Sequence, residues 1–366
     1  MLDTDLNFSF SKNLYAKEIT NILLNSGKVE NQLQTSRQES KKQFYLKPQQ
    51  KSNSKRKTKP NLTIKKPFID LPLTTYSKLP KWLQFNEHIQ SGYRFGYNVK
   101  NTFKSLFQYH NETVNIWTHL LGSLIFVFLI FYTFKSEYLK DATFVSKLFV
   151  ISSPISAIIC LLSSTFYHLF EQSSLKFSVG FLKMDLTGIL IMITFSTTPM
   201  VYFLMAYSNK IYYSYTIVLL SIGIFFIVSI WGGFSFINKM VKLRAFLFVV
   251  LSGYCLLLPL HARYLETSSY ANYALYRLFL QYGSFGIGLI FYLTKFPECM
   301  TKSNKYDIFG SSHQIWHVWI IIASVITYYS MFFLCKCYTN FTNGIPNNAD
   351  WTQNFFRFQD LINTFN

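Results

Sequence analysis

Charged residues are scarce. They make up 14% of the chain, against roughly 25% in ordinary soluble domains. Acids are scarcer still, with 17 Asp and Glu facing 35 Lys and Arg. A soluble enzyme with a charged surface is therefore excluded. Cysteine is also thin: Cys160, Cys255, Cys299, Cys335 and Cys337 are scattered. Only the pair at 335 and 337 is close, and it lacks a partner pair. Neither a disulfide framework nor a zinc finger is expected, and buried apolar cysteines are. The first 30 residues hold acids and lack a long apolar core, so no signal peptide is expected. No internal repeat is visible.

What is present is apolar. Half of the residues are hydrophobic, with 38 Phe and 25 Tyr. The bases are uneven: 19 of the 35 lie before residue 105, beside 7 acids. A basic tail on a hydrophobic body reads as an integral membrane protein, with no nucleic-acid partner expected. Residues 1–75 are rich in Lys, Gln and Ser. They bury too little apolar surface to offset the entropy of ordering, so a disordered basic cytosolic tail is expected. Residues 76–114 mix aromatics with charge and predict a juxtamembrane amphipathic segment with one or two short helices.

Seven apolar runs follow, at about 115–134, 146–168, 180–206, 211–231, 243–262, 272–294 and 313–335. Each is near the 20 or so residues that a spanning helix needs. The fold class predicted is an all-α integral membrane protein, a seven-helix bundle over 115–335, with a C-terminal tail at 336–366. The basic N-terminal region is placed in the cytosol. Seven spans then put the C-terminus in the extracellular or lumenal space, where the sequon at Asn340 would be open to glycosylation. The membrane expected is the plasma membrane or the endoplasmic reticulum.

Ionisable groups inside spans are costly and default to function. With this topology, His168 ends span 2, Asp185 lies near the start of span 3, and His313 and His317 open span 7 in "GSSHQIWHVW". All four fall at one cytosolic depth. His313 and His317 are i and i+4, so they share a face; Ser164 is one turn before His168. Three imidazoles from two helices match a zinc shell with an open fourth position for water. Asp185 would take that water's proton or orient a histidine. Haem is disfavoured, because two histidines at i and i+4 cannot flank one ring. His119 and His261 are expected to be packing or capping residues. Asn111, Glu112 and Thr113 read as a helix start that satisfies free amides.

At these residues the chain resembles a family. "WLQFNEHIQSGYR", "HNETVNIWTHLLG", "SSTFYHLF", "LKMDLTGILIMI" and "FPE" with "YDIFGSSHQIWH" occur in order between residues 82 and 317. They are similar to the progestin and adipoQ receptor family, which includes the adiponectin receptors, hemolysin III proteins and fungal members tied to zinc and sterol homeostasis. The resemblance implies zinc ligands at His168, His313 and His317, and a serine and an aspartate at Ser164 and Asp185 as the catalytic pair. It also implies ceramidase-type hydrolysis of a lipid amide, or a receptor with structural zinc and an extracellular protein ligand. Membrane lipids, ceramide-like or sterol, are the partners implied. Three positions depart from the pattern: Cys299 after Glu298, the Leu after Asp185, and His88. A zinc transporter is disfavoured because a site at one end is not at the midplane.

Overall fold

The computed structural model describes residues 71–205, 208–232, 241–265, 269–301 and 303–344. Every described residue lies within the unit Lys65–Asn366. The expected tail, up to residue 70, lies outside the described residues.

Seven long helices follow one another: α1 Thr113–Lys135, α2 Phe144–Phe170, α3 Leu175–Met205, α4 Asn209–Trp231, α5 Val241–Leu265, α6 Ser269–Thr294 and α7 Ser312–Thr342. At about 1.5 Å per residue, even the shorter ones exceed the roughly 30 Å of a hydrocarbon core. Six of them, all but α5, are long and apolar enough to cross a membrane over their described residues. In α5, positions 245–262 carry no charge. Pro154 and Pro199 sit inside α2 and α3, where neighbouring helices tolerate the missing N–H.

The helix ends explain where each span begins. Thr143 caps α2 by accepting from the Ser146 amide at 3.1 Å. Ser311 and Gln314 form a capping box at the start of α7, which fixes the turn carrying His313. At its far end α7 outruns the sequence expectation, reaching Thr342 instead of 335. Asn340 is therefore helical and only 2% exposed. That overturns the expected glycosylation site, because a buried helical amide offers no extended acceptor.

Between apolar helices in lipid there is little hydrophobic drive, so close approach and hydrogen bonds hold the bundle. Helix α7 is the hub, packing against α1, α2, α3 and α6. Gly188 of α3 lets that helix meet α2: a Cβ there would stand 3.0 Å from the Cys160 Cα and 3.1 Å from the Ser163 Cβ. Gly122 of α1 does the same against Ile321 of α7. Further along, Tyr328 of α7 donates to the Leu129 carbonyl at 3.1 Å and meets Thr133 Oγ1 at 2.9 Å. Outward residues such as Leu124, Phe131, Ile217 and Ile290 are exposed, as a lipid-facing surface requires.

The juxtamembrane segment is a strap, mostly without regular structure. It holds the short helix Val99–Lys104, several single 3-10 turns and one bridge, Thr74 to Tyr93. The one short α-helix lies within the one or two expected. An apolar cluster of Leu79, Leu83, Ile89 and Tyr93 holds this segment together, and polar side chains tie it to the rest of the molecule. Asn86 donates to Glu298 at 3.0 Å, and the Gln90 amide donates to Asp307 at 3.1 Å. Ser91 also donates to Asp307.

Candidate metal centre

Two helix ends meet at one end of the bundle. α2 brings His168 in its last turn, and α7 brings His313 and His317 in its first two. The three rings lie 4.7–5.0 Å apart, centroid to centroid. The Nε2 atoms of His168 and His313 are 3.2 Å apart. Two ligands on a tetrahedral ion, with bonds of about 2.0–2.1 Å, stand about 3.3–3.4 Å apart. The three imidazoles offer ligand atoms all within 4.8 Å of one another, and Glu112, His168 and Glu171 form a second such group. These residues could hold a metal ion.

The outward nitrogens matter as much. A ligating histidine usually donates its other N–H to a fixed acceptor, which sets the tautomer. Nδ1 of His168 lies 2.9 Å from Glu112 Oε2. A carboxylate only accepts, so Nδ1 carries the proton and Nε2 is the free lone pair. Nδ1 of His317 lies 3.2 Å from the Asn115 carbonyl, with Thr118 Oγ1 at 3.4 Å. Its Nε2 is freed in the same way. Both arrangements aim lone pairs inward.

Glu112 is the centre of this support. It was expected to help cap α1, but its side chain makes no cap hydrogen bond. Instead its oxygens accept from His168, from Asn111 Nδ2 at 2.8 Å and from Asn115 Nδ2 at 2.6 Å. Burial pushes its acidity one way, and the bond from His168 outweighs it, holding the carboxyl below the usual carboxylate range. Burial, and then the neighbouring Glu112, push the Glu171 carboxyl upward. The two buried acids are thus pushed in opposite directions, Glu112 down and Glu171 up.

The strap holds both ligand-bearing ends. Arg94, 2% exposed, donates to the His168 carbonyl at 2.7 Å and to Ser105 Oγ at 2.8 Å. Burial lowers its pKa to about 10, so it stays charged at neutral pH. On the α7 side, Glu298 accepts from the Ser312 amide at 2.7 Å, one residue before His313. The same Glu298 receives Asn86 of the strap.

Asp185 and Ser164 arrive by helix packing. Gly188 meets Cys160 and Ser163 at one level. Asp185 lies about 4.5 Å from that level toward the site, at 1.5 Å per residue. It is half-buried, and it is within electrostatic reach of His168. Ser164 is buried one turn before His168. Among the described residues, neither bonds a ring directly.

Two expectations about histidine are settled differently. His261 is remote from the cluster, paired with Tyr215 OH at 2.8 Å, as a packing residue would be. His119 is not remote: its ring stacks on His317, centroids 3.6 Å apart and planes 10° apart. Sequence reasoning missed this, and missed Glu112, Asn115 and Thr118 as supports. A signal was there. Asn115, Thr118, His119 and Gly122 fall at i, i+3, i+4 and i+7, a single helical stripe. Arg277, buried inside α6, was also passed over.

The chain matches the sequence profile of the family described as "Haemolysin-III related" over residues 107–328, more than half its length. It is 30% identical over 268 residues to "Heptahelical transmembrane protein 1" of Arabidopsis thaliana, covering 70% of this chain and 79% of that protein. It is 32% identical over 261 residues to "Adiponectin receptor protein" of Drosophila melanogaster, covering 70% of this chain and 58% of that protein. It is also 32% identical to "Progestin and adipoQ receptor family member 3" of Mus musculus, covering 68% and 82%. Fold and cluster define an integral, multi-pass membrane protein of seven helices. The chain belongs to the haemolysin-III related family, together with adiponectin and progestin receptor-like proteins.

Proposed function

We propose that the chain is a zinc-dependent, hydrolase-like membrane protein of lipid and metal homeostasis that cleaves a ceramide-type lipid amide. The supporting observation is the three-imidazole cluster, whose outward nitrogens on His168 and His317 are anchored by Glu112 and by the Asn115 carbonyl. An all-nitrogen set of three suits Zn2+ better than an oxygen-seeking ion. Zinc held there would polarise an amide carbonyl and bring a water's pKa toward about 7.

The chain's own residues would do the rest. Glu112 holds the His168 ring and balances the charge that gathers there. Asp185, half-buried beside the cluster, accepts the proton a hydrolysing water gives up. It returns that proton to the leaving nitrogen as the C–N bond breaks and the C–O bond forms. Ser164 offers a hydroxyl at the same level. The products are a sphingoid base and a fatty acid. With the N-terminus in the cytosol, the site lies just inside the cytosolic leaflet, where a lipid's polar linkage sits.

A second reading is a receptor in which zinc only braces α2 and α7 for an extracellular protein ligand. The names of the fly and mouse relatives favour it. One assay separates the two: purified protein on short-chain ceramide, wild type against Asp185→Ala, with zinc measured in both. Fatty acid released by wild type, reduced about 100-fold or more in the variant at equal zinc content, supports hydrolysis, since general acid–base groups contribute about 10²–10⁴-fold. Zinc bound with no release by either protein rejects hydrolysis and leaves the receptor.

A further inference from the structure

Buried polar atoms in folded proteins nearly always have partners, and the exceptions call for an explanation. Among the described residues, eight buried side-chain N or O atoms lack one, and three of the eight belong to Asn115 and His119. They are Asn115 Oδ1 and both ring nitrogens of His119; the His317 backbone comes within weak reach of that ring but closes no hydrogen bond of good geometry. The two residues are one helical turn apart on α1, on the stripe that wraps His317. Asn115 Nδ2 is already committed to Glu112 and its carbonyl to His317, so Oδ1 is the atom left over. Gly122, one turn on, brings α1 close enough to α7 for His119 to lie flat on His317.

Stacking alone does not explain a histidine. A phenyl ring would lie on His317 equally well and would bury no polar atom. The imidazole adds one N–H donor and one lone pair, and Asn115 adds a second acceptor. We infer that Asn115 and His119 form a subsite, beside the metal centre, for hydroxyl-type oxygens. A hydroxyl both donates and accepts, so it answers both kinds of vacancy. The two ring nitrogens point apart, so one oxygen cannot serve both, and the subsite takes two. Buried water and the hydroxyls of a bound lipid share this chemistry, and polar interior sites of this kind are where ordered water is found.

The first test is a map of the zinc-loaded full-length protein, at a resolution that shows ordered water. Oxygen-sized peaks within hydrogen-bonding distance of Asn115 Oδ1 and of both His119 nitrogens are expected; a dry gap there overturns the inference. The second is His119→Phe, which keeps the stack and deletes the nitrogens. Zinc content should stay at the wild-type value while the melting midpoint falls by about 2–4 °C. A rise in midpoint would mean that the nitrogens were orphans in fact, and the inference fails. If the variant does not fold, the map alone decides.

A third arm finds the source of the oxygens, and this arm alone rests on the lipid-amide reading. Binding of a short-chain ceramide and its 3-deoxy analogue is compared. A tenfold preference for the hydroxylated lipid, lost in His119→Phe, assigns one oxygen to the lipid. Equal binding in wild type assigns both to water. Binding is read instead of hydrolysis, so a protein that binds with preference yet releases no fatty acid rejects the catalytic reading and keeps the subsite.

Discussion

Helices α2, α3 and α7 differ from α4 and α6 in how deeply they are buried. In the most apolar stretch of each, 50%, 67% and 61% of residues are buried in the first group, against 28% in both of the second. Hydrophobicity does not separate them, since α4 is as apolar as α2. In lipid, an apolar side chain gains little by leaving the bilayer for a neighbouring helix. Burial must then come from features that bind helices directly. The first group, with α1, has polar ones: Glu112 to His168, Asn115 to His317 and Tyr328 to Leu129. Close-approach glycines occur in both groups, Gly188 of α3 on Cys160, Gly223 of α4 on Thr194 and Gly288 of α6 on Trp316. Helices α4 and α6 show Phe225, Ile217, Ile290 and Leu293 to the outside. The comparison teaches that the inner group is assembled around its polar end.

The sharpest test of that contrast is to remove one imidazole at the polar end and one far from it. His313→Ala should cost most of the bound zinc by elemental analysis, because two ligands are left. His261→Ala, in α5 and paired only with Tyr215 among the described contacts, should leave zinc unchanged. Equal zinc in both variants would remove His313 from the ligand set. Next in size is Glu112→Gln, which keeps the shape and drops the charge. Supports of this kind are worth about 10–100-fold in metal affinity, and competition against a graded chelator measures it. An unchanged affinity would make Glu112 a structural residue of the α1 entrance and nothing more.

The inner group was also the more legible part of the sequence, but only partly so. Six of the seven long helices show in hydropathy over their described residues, because twenty apolar residues leave a strong signal. The convergence of His168, His313 and His317 follows from topology alone, since alternating helices return to the same side. The supports did not show. Glu112 sits where a capping residue is expected, and nothing local reveals that its carboxylate turns to a histidine 56 positions away. Arg94 lies in a segment with no periodicity, and its bond to the His168 carbonyl is long-range. His119 looked like a packing residue because its depth in α1 depends on where the helix begins. That start, Thr113, is fixed by polar contacts of the strap. Periodic apolar patterns predict elements well; single polar contacts across the fold leave no pattern to read.

The smallest effects test the packing half of the contrast. Gly188→Val should lower the melting midpoint and the Asp185-dependent activity together. Its Cβ would meet the Cys160 backbone, and backbone cannot swing aside. Overpacking of this sort costs about 1–3 kcal/mol, and it would also lift Asp185 away from His168. Gly253 of α5 has no described atom within 4 Å of a built Cβ. There the only change is helix propensity, which favours Ala over Gly by at most about 1 kcal/mol. Gly253→Ala should therefore raise the midpoint, by no more than about 2–4 °C, with zinc and activity untouched. If Gly253→Ala proved as harmful as Gly188→Val, α5 would be as tightly fitted there as α3 is on α2, and a tight fit would not mark the inner group.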